Sequence, residues 1–332
     1  MSKNVLKLKR DRYRHYCEQE GIPLFSQAWW LDIVAKESWD VAMVERNDRL
    51  EASMPYVMSK NLTMRMLTQP ALTQHLGPWI SANEAKYSKQ LSRQKELMTE
   101  LIQQLPKCQF FYQNWHYSLT NWLPFYWSGF EQTTRYTYVI EDLTDVGATF
   151  ASFQENIRRE IRKAIKRNIV VSCEHSIDEF ADLNRKTFER QGMALPYSES
   201  LVKDIAHYAS ERGQCKWFIA KDEDGSTHAG VLIVWDSESA YYLLGGGDPS
   251  LRTSGATSLC MWEAIKFASG VTKKFDFEGS MIPPIEKFVR GFGAKQYPYF
   301  LITKSSSLLL GLIVKILKKN VSIKNRLLRL LG

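Results

Sequence analysis

The sequence predicts an α/β (α+β) chain of two similar domains in tandem, each a mixed, mostly antiparallel sheet flanked by helices, with an amphipathic helix at the C-terminus. Three observations carry this. Trp39–Met58 and Cys215–Asp236 share one pattern: an alternating apolar strand, a charged turn (Asn47-Asp48 or Asp224-Gly225), and a second strand. The remaining elements repeat around those hairpins, which makes the pattern a duplication. The last stretch, 308–331, spaces its cations helically among leucines and isoleucines. The expected domains are 1–145 and 146–304, with a tail at 305–332.

In the second half the order reads β-α-α-β-β-β-α-β-α-β. Ile169–Glu174 is a short β-branched strand, and Ser176-x-x-Glu179 opens a helix to about Arg190 with a capping box. A second helix runs from Glu199 and stops at Gly213. The hairpin follows, then a strand at Ala240–Leu244, a helix at Gly255–Ser269, a strand at Lys274–Phe277, a helix at Pro284–Arg290 and a strand at Tyr297–Thr303. In the first half, a helix at Ala28–Lys36 precedes the hairpin, Met64–Leu67 reads as a strand, and Ser81-x-x-Glu84 is expected to cap a long helix ending near Leu105. Strands are expected at Gln109–Tyr112 and Thr134–Ile140. One helix, Phe150–Lys166, joins the halves, with Phe150, Phe153, Ile157, Ile161 and Ile165 as its apolar stripe.

Composition excludes several classes. Hydrophobic residues make 44% and charged residues 24%, which suits a packed core. The net charge is +8, but Lys315, Lys318, Lys319, Lys324, Arg326 and Arg329 lie in the tail, so the body is near neutral; a nucleic-acid-binding body would need a basic face of its own, and the overall charge is weak evidence for one. Cys17, Cys108, Cys173, Cys215 and Cys260 have neither metal-ligand nor disulfide-framework spacing, so no metal is expected. The N-terminus has no apolar run of a signal peptide. The expected location is the cytoplasm, with the tail suited to an anionic membrane surface on its inner face.

The junction LLGGGDPSLRTSGATSLCMWEAIKFA is the most informative stretch. A helix N-terminus offers free N–H groups and a partial positive charge, and glycine lets a phosphate come close. Arg252, Ser254, Gly255 and Ala256 precede such a helix, and Leu244, Gly245 and Gly246 end the strand before it. The alternative is an ordinary turn whose glycines relieve crowding. This junction, with FDFEGS and FVRGFGAK after it, resembles the BioF2-like acetyltransferase domain of the GNAT superfamily, in its FemAB-related branch; FSQAWWLDIV and NWHYSLTNWLPFYWSGF resemble the N-terminal half of the same tandem proteins. Thr257 departs from the family's loop pattern. The resemblance implies a GNAT fold and an acetyl-CoA or other acyl-CoA donor on Arg252–Ala256. It also implies an oxyanion neighbourhood at Leu244–Gly246, where the fourth strand of the domain leaves the fifth.

Acyl transfer to an amine needs a base, an oxyanion donor and a route for the thiolate to leave. Asp276 and Glu278 end a strand, and alternation places both on one face. Asp248 is another acid, though Asp-Pro also makes turns. The helix PPIEKFVRGFG holds no tyrosine for a leaving thiolate. The first half has no basic glycine loop, so the donor is assigned to the second domain. His75, Trp115, His116 and Tyr117 are expected to line an acceptor pocket, since aromatic faces beside amides and hydroxyls suit a sugar. Arg158 and Arg162 are expected to meet acceptor phosphates. The expected reaction is N-acylation of an amino sugar, nucleotide- or lipid-linked, in a surface-polysaccharide precursor. The alternatives are transfer from aminoacyl-tRNA onto a peptidoglycan precursor, as in FemAB-type enzymes, and a non-catalytic glycan-binding role.

Overall fold

The computed structural model describes residues 3–61, 64–279 and 281–306, so the tail expected at 308–331 lies outside the described residues. The chain forms two compact units. The first runs to Arg135 and takes in the chain again from Tyr299; the second is Tyr136–Pro298.

The first unit opens with α1 (Lys3–Gln19), which no sequence signal singles out, and α2 (Ala28–Val34). It continues with β1 (Trp39–Arg46), β2 (Arg49–Asn61), β3 (Met64–Thr68), β4 (Trp79–Ile80), α3 (Tyr87–Gln104), β5 (Phe110–Asn114) and α4 (Leu123–Trp127). The expected Ser81-x-x-Glu84 cap is not used. The helix starts six residues later behind Lys86, and Ser81 instead accepts hydrogen bonds from Arg93. β1, β2 and β3 pair antiparallel, β3 and β5 pair parallel, and β4 lies on β2.

The strand β6 (Glu131–Ile140) enters the second unit, followed by α5 (Val146–Ser152) and α6 (Glu155–Lys166). The single joining helix expected at 150–166 is thus two, broken where Phe153 and Gln154 turn extended. Phe153, Ile157 and Ile161 bury the expected stripe, but Ile165 is 57% exposed. Then come β7 (Val170–Ser172), α7 (Ile177–Glu189), α8 (Glu199–Glu211), β8 (Cys215–Lys221), β9 (Thr227–Trp235), β10 (Ser239–Gly247), α9 (Ala256–Ala268), β11 (Lys274–Asp276), α10 (Pro283–Arg290) and β12 (Lys295–Ser305). Here β7, β8, β9 and β10 pair antiparallel, β10 and β11 pair parallel, and β11 pairs antiparallel with β6.

The duplication is visible in pairing: a run of antiparallel strands, three in the first unit and four in the second, then one parallel partner. The last strands, however, are exchanged. β6 follows β5 along the chain but pairs with β11, and β12 follows β11 but pairs with β5 over Leu301–Ser305. This corrects the boundaries expected at 145/146 and 304/305: Tyr138, Ile140 and Leu143 belong to the core of the second unit, and Ile302 to that of the first.

Candidate active site

In the second unit β10 and β11 are paired only from Ser239↔Lys274 to Tyr241↔Asp276. Beyond Tyr241, β10 continues to Gly247 on β9 alone, so the three glycines are strand, not loop. A register shift between Tyr242 and Leu244 bends it there. The amide of Asp248 donates to His228 O, the next position along β9, so even-numbered residues face β9 and odd-numbered ones face away. Gly245 therefore turns its N–H and C=O away from β9, as does Gly247, while Leu244 and Gly246 turn theirs toward it. Of the stretch Leu244–Gly246, the N–H turned away from β9 is that of Gly245.

The helix α7 packs closely on this stretch. A methyl group on Gly246 would stand 2.7 Å from the backbone of Leu183 and Asn184, and one on Gly245 would strike the hydroxyl of Tyr242. Asn184 donates to Gly245 O at 2.9 Å, and the amide of Gly247 donates to Thr187 Oγ1 at 3.1 Å. Tyr197 in turn donates to Asn184 Oδ1 at 2.9 Å. Burial pushes the Tyr197 hydroxyl up to about 12. Burial raises Tyr242 too, and the nearby Glu278 carboxyl adds to it.

Asp276 ends β11 and is 2% exposed. It accepts from Thr137 Oγ1 and from the amide of Glu278, and burial pushes its carboxyl up to about 6. Glu278 is not on the strand. Its φ is +59°, followed by Gly279 at +55°, so the two carboxylates are brought together by a turn and not by the pleat. Gly279 has to be glycine, because a Cβ would collide with the backbone of Tyr136 and Thr137. Burial, then the neighbouring Asp276, holds Glu278 well above the usual carboxylate range. A left-handed glutamate beside a buried aspartate stores backbone strain of ~1–3 kcal/mol, as functional sites often do.

Arg252 is exposed on a short turn, Arg252–Ser254, before α9. Gly255 has φ +88°, and a Cβ on it would collide with Glu160 O, so this glycine seats α6 against the loop. Of the first helix amides, Ala256 N donates to Ser254 Oγ and Ser258 N to Gly255 O. The groups that fit a phosphate are the Arg252 guanidinium and the amide of Thr257. Arg167 reaches the same loop through Thr253 O at 3.5 Å. Asp248 is engaged in its turn through the amide and hydroxyl of Ser250, which lower its carboxyl.

Arg158 and Arg162 turn to their own helix and not to this site. Both pair with Glu155 of their own helix, at 2.8 and 3.0 Å. Among the described residues no group of His, Cys, Asp or Glu could hold a metal ion, and no helix is long and apolar enough to cross a membrane.

The first unit brings its predicted residues together. His75 and His116 rings lie 4.6 Å apart, and Tyr117 lies 4.1 Å from His116. Leu76 bridges to Trp115 in parallel fashion. Trp115 is 1% exposed and packs on Phe125 at 4.7 Å, so it forms the back of the cluster and not a binding face. Here the divergence of β3 from β5 is closed by the chain itself. The amide of Asn114 donates to Gln69 Oε1, and Leu76 N donates to Asn114 O.

Sequence reasoning missed Tyr242, Asn184, Tyr197, Thr187 and Thr137. Only Tyr242, beside the glycine run, carried a local signal; the others matter through tertiary contacts.

Residues 151–286 match the family described as Acetyltransferase (GNAT) domain. This stretch is thus similar to a GNAT domain. The chain shares its fold with FemX, at 14% identity and TM-score 0.62, over 88% of this chain and 95% of that one. It is also similar to L-PGS from Bacillus licheniformis (11% identity, TM-score 0.55, 91% and 94% covered). A conserved protein of unknown function from Bacteroides thetaiotaomicron is similar to the same degree (12% identity, TM-score 0.55, 91% and 99% covered). No curated protein sequence matches the chain. The fold is therefore GNAT-like and shared with FemX.

Proposed function

We propose that the protein is an N-acyltransferase that moves an acyl group, acetyl in the simplest case, from acyl-CoA to an amine, the acceptor being an amino sugar of a surface-polysaccharide precursor. The observation that carries this is the divergence of β10 and β11, with Glu278 and Asp276 on the β11 side and the α9 N-terminus following β10. The amine nitrogen attacks the thioester carbon and gives its proton to Glu278, whose raised affinity for protons suits a general base. The Gly245 N–H faces the oxyanion. The C–S bond breaks, and the departing thiolate takes a proton from Tyr242, a donor that α10 does not supply. Arg252 and the Thr257 amide hold the pyrophosphate of the donor.

One observation favours the second reading, an aminoacyl-tRNA donor. Asn184 and Thr187 already occupy Gly245 O and Gly247 N–H, groups on the strand edge that an extended CoA arm would use. Arg167 and Arg252 beside the loop suit a longer polyanion.

Calorimetric titration with acetyl-CoA and CoA decides between them. Micromolar binding that Arg252→Glu abolishes supports the first reading. A folded protein that binds neither, and binds aminoacyl-tRNA, establishes the second.

A further inference from the structure

The first unit contains a cleft of about 230 Å³ between the loop His75–Ile80 and the segment 116–121. It lies beyond the Leu76–Trp115 bridge, past the point where the chain itself closes the divergence of β3 from β5. Its lining has two characters. Trp79, Met98 and Leu119 are apolar; Gln94, His116, Ser118 and Asn121 carry amide, imidazole and hydroxyl groups. Among the described residues no Asp, Glu, Lys or Arg lines it. His75, in its wall, is buried, and burial together with His116 keeps its ring uncharged well below the usual histidine range. Behind the wall, Trp115 packs its five-membered ring edge against Gly77, where a Cβ would stand 2.8 Å from Cδ1. The indole Nε1 next to that atom is buried and has no hydrogen-bond partner among the described residues, although such groups are nearly always paired.

We infer that this cleft is a binding site for one uncharged sugar ring. The volume is below that of most drug-sized sites, so it takes a single ring and not a nucleotide. An apolar wall facing amides and hydroxyls matches the two faces of a pyranose, and a neutral lining excludes a charged ligand, because a buried charge needs a partner. The group bound here is thus a neutral part of a glycan, and a protonated amine or a phosphate is held elsewhere. The inference deepens the acyltransfer reading by naming a recognition site for its acceptor, but the binding itself needs no transfer.

The test uses the full chain without any acyl donor. Calorimetry and saturation-transfer NMR measure glucose and N-acetylglucosamine as neutral rings, glucosamine at about pH 6 as a cation, and glucuronate as an anion. A neutral ring is expected to bind more tightly than both charged ones by on the order of tenfold. Asn121→Leu, which removes an amide, and Ser118→Trp, which fills the rim, are each expected to abolish it, with thermal melts confirming folded protein. If neither neutral ring binds the wild-type chain, the inference is wrong. Equal binding of charged rings, or binding that survives in folded samples of both variants, overturns it equally. Glu278→Gln separates the two readings: sugar binding persists there even if no transfer is ever found, whereas transfer to an amino sugar without neutral-ring binding leaves the acyltransferase and removes this site.

Discussion

Asp276 and Glu278 show how far single residues can be read. Their identity as the acidic pair at the end of β11 was legible from an alternating apolar strand. Their geometry was not, because the strand stops at Asp276 and Glu278 adopts φ +59°. Two predictions belong to them. Glu278→Gln is expected to lower the rate of transfer by about 10²-fold or more while donor affinity stays unchanged, as removal of a general base does. In the wild type, the rate is expected to rise with pH along a limb displaced above the ordinary carboxylate range, since the base form appears only above its raised pKa. A pH-rate profile with its limb near 4 would remove Glu278 from that role. The second prediction concerns stability. The folded-state pKa of Asp276, about 6, is above its unfolded value, so the folded protein binds the proton more tightly. Its favourable contribution is complete below pH ~4 and is lost as pH rises to about 6. Asp276→Asn keeps acceptors for Thr137 and for the Glu278 amide and carries no charge. It is expected to be more stable than wild type by roughly 3 kcal/mol at pH 7.5, with the difference vanishing below pH ~4. Urea melts at the two pH values read this directly.

Elements were legible where local signals and packing agree. The hairpins, α7 with Ser176 as its N-cap, α8 and the strand–loop–helix junction all follow from period, caps and turn residues. What local pattern cannot say is which glycine serves a ligand and which serves a neighbour. Gly246 lets α7 reach the strand, and Gly255 lets α6 reach the loop, so one glycine of the expected oxyanion stretch and one of the expected phosphate loop have packing reasons of their own. Thus the resemblance was read correctly for a reason partly different from the expected one. The contact of α7 with β10 also places Asn184, which no motif marks. Replacing it by Leu leaves Gly245 O buried against an apolar group, at an expected cost of ~1–3 kcal/mol. Gly255→Ala combines a left-handed backbone with a collision against Glu160 O and is expected to cost about 2 kcal/mol or more. Chemical denaturation of the two variants checks both. An unchanged midpoint for Gly255→Ala would mean that α6 does not rest on the loop.

At the scale of the whole molecule, the duplication was visible in the sequence but the exchange of last strands was not. Both β6 and β12 read as ordinary strands closing their own repeats, and nothing in an alternating pattern names the partner across a ladder. Pairing names it: β6 lies on β11 and β12 on β5. The consequence is testable by cutting the chain. A fragment of residues 146–304, the domain as sequence order suggests it, lacks Tyr138, Ile140 and Leu143 from its core and leaves β11 without its outer partner. It also carries Leu301 to Thr303, whose partners on β5 are absent. Bare strand edges of this kind seek other chains. A fragment of residues 136–298 keeps the whole core of the second unit and the β6–β11 ladder. It is therefore expected to be the more soluble and cooperative of the two, with the 146–304 fragment forming aggregates in size-exclusion chromatography and melting broadly. Equal behaviour of the two fragments would show that the exchanged strands contribute little. The reverse order would mean that each repeat closes with its own last strand, and the strand order described above would have to be abandoned.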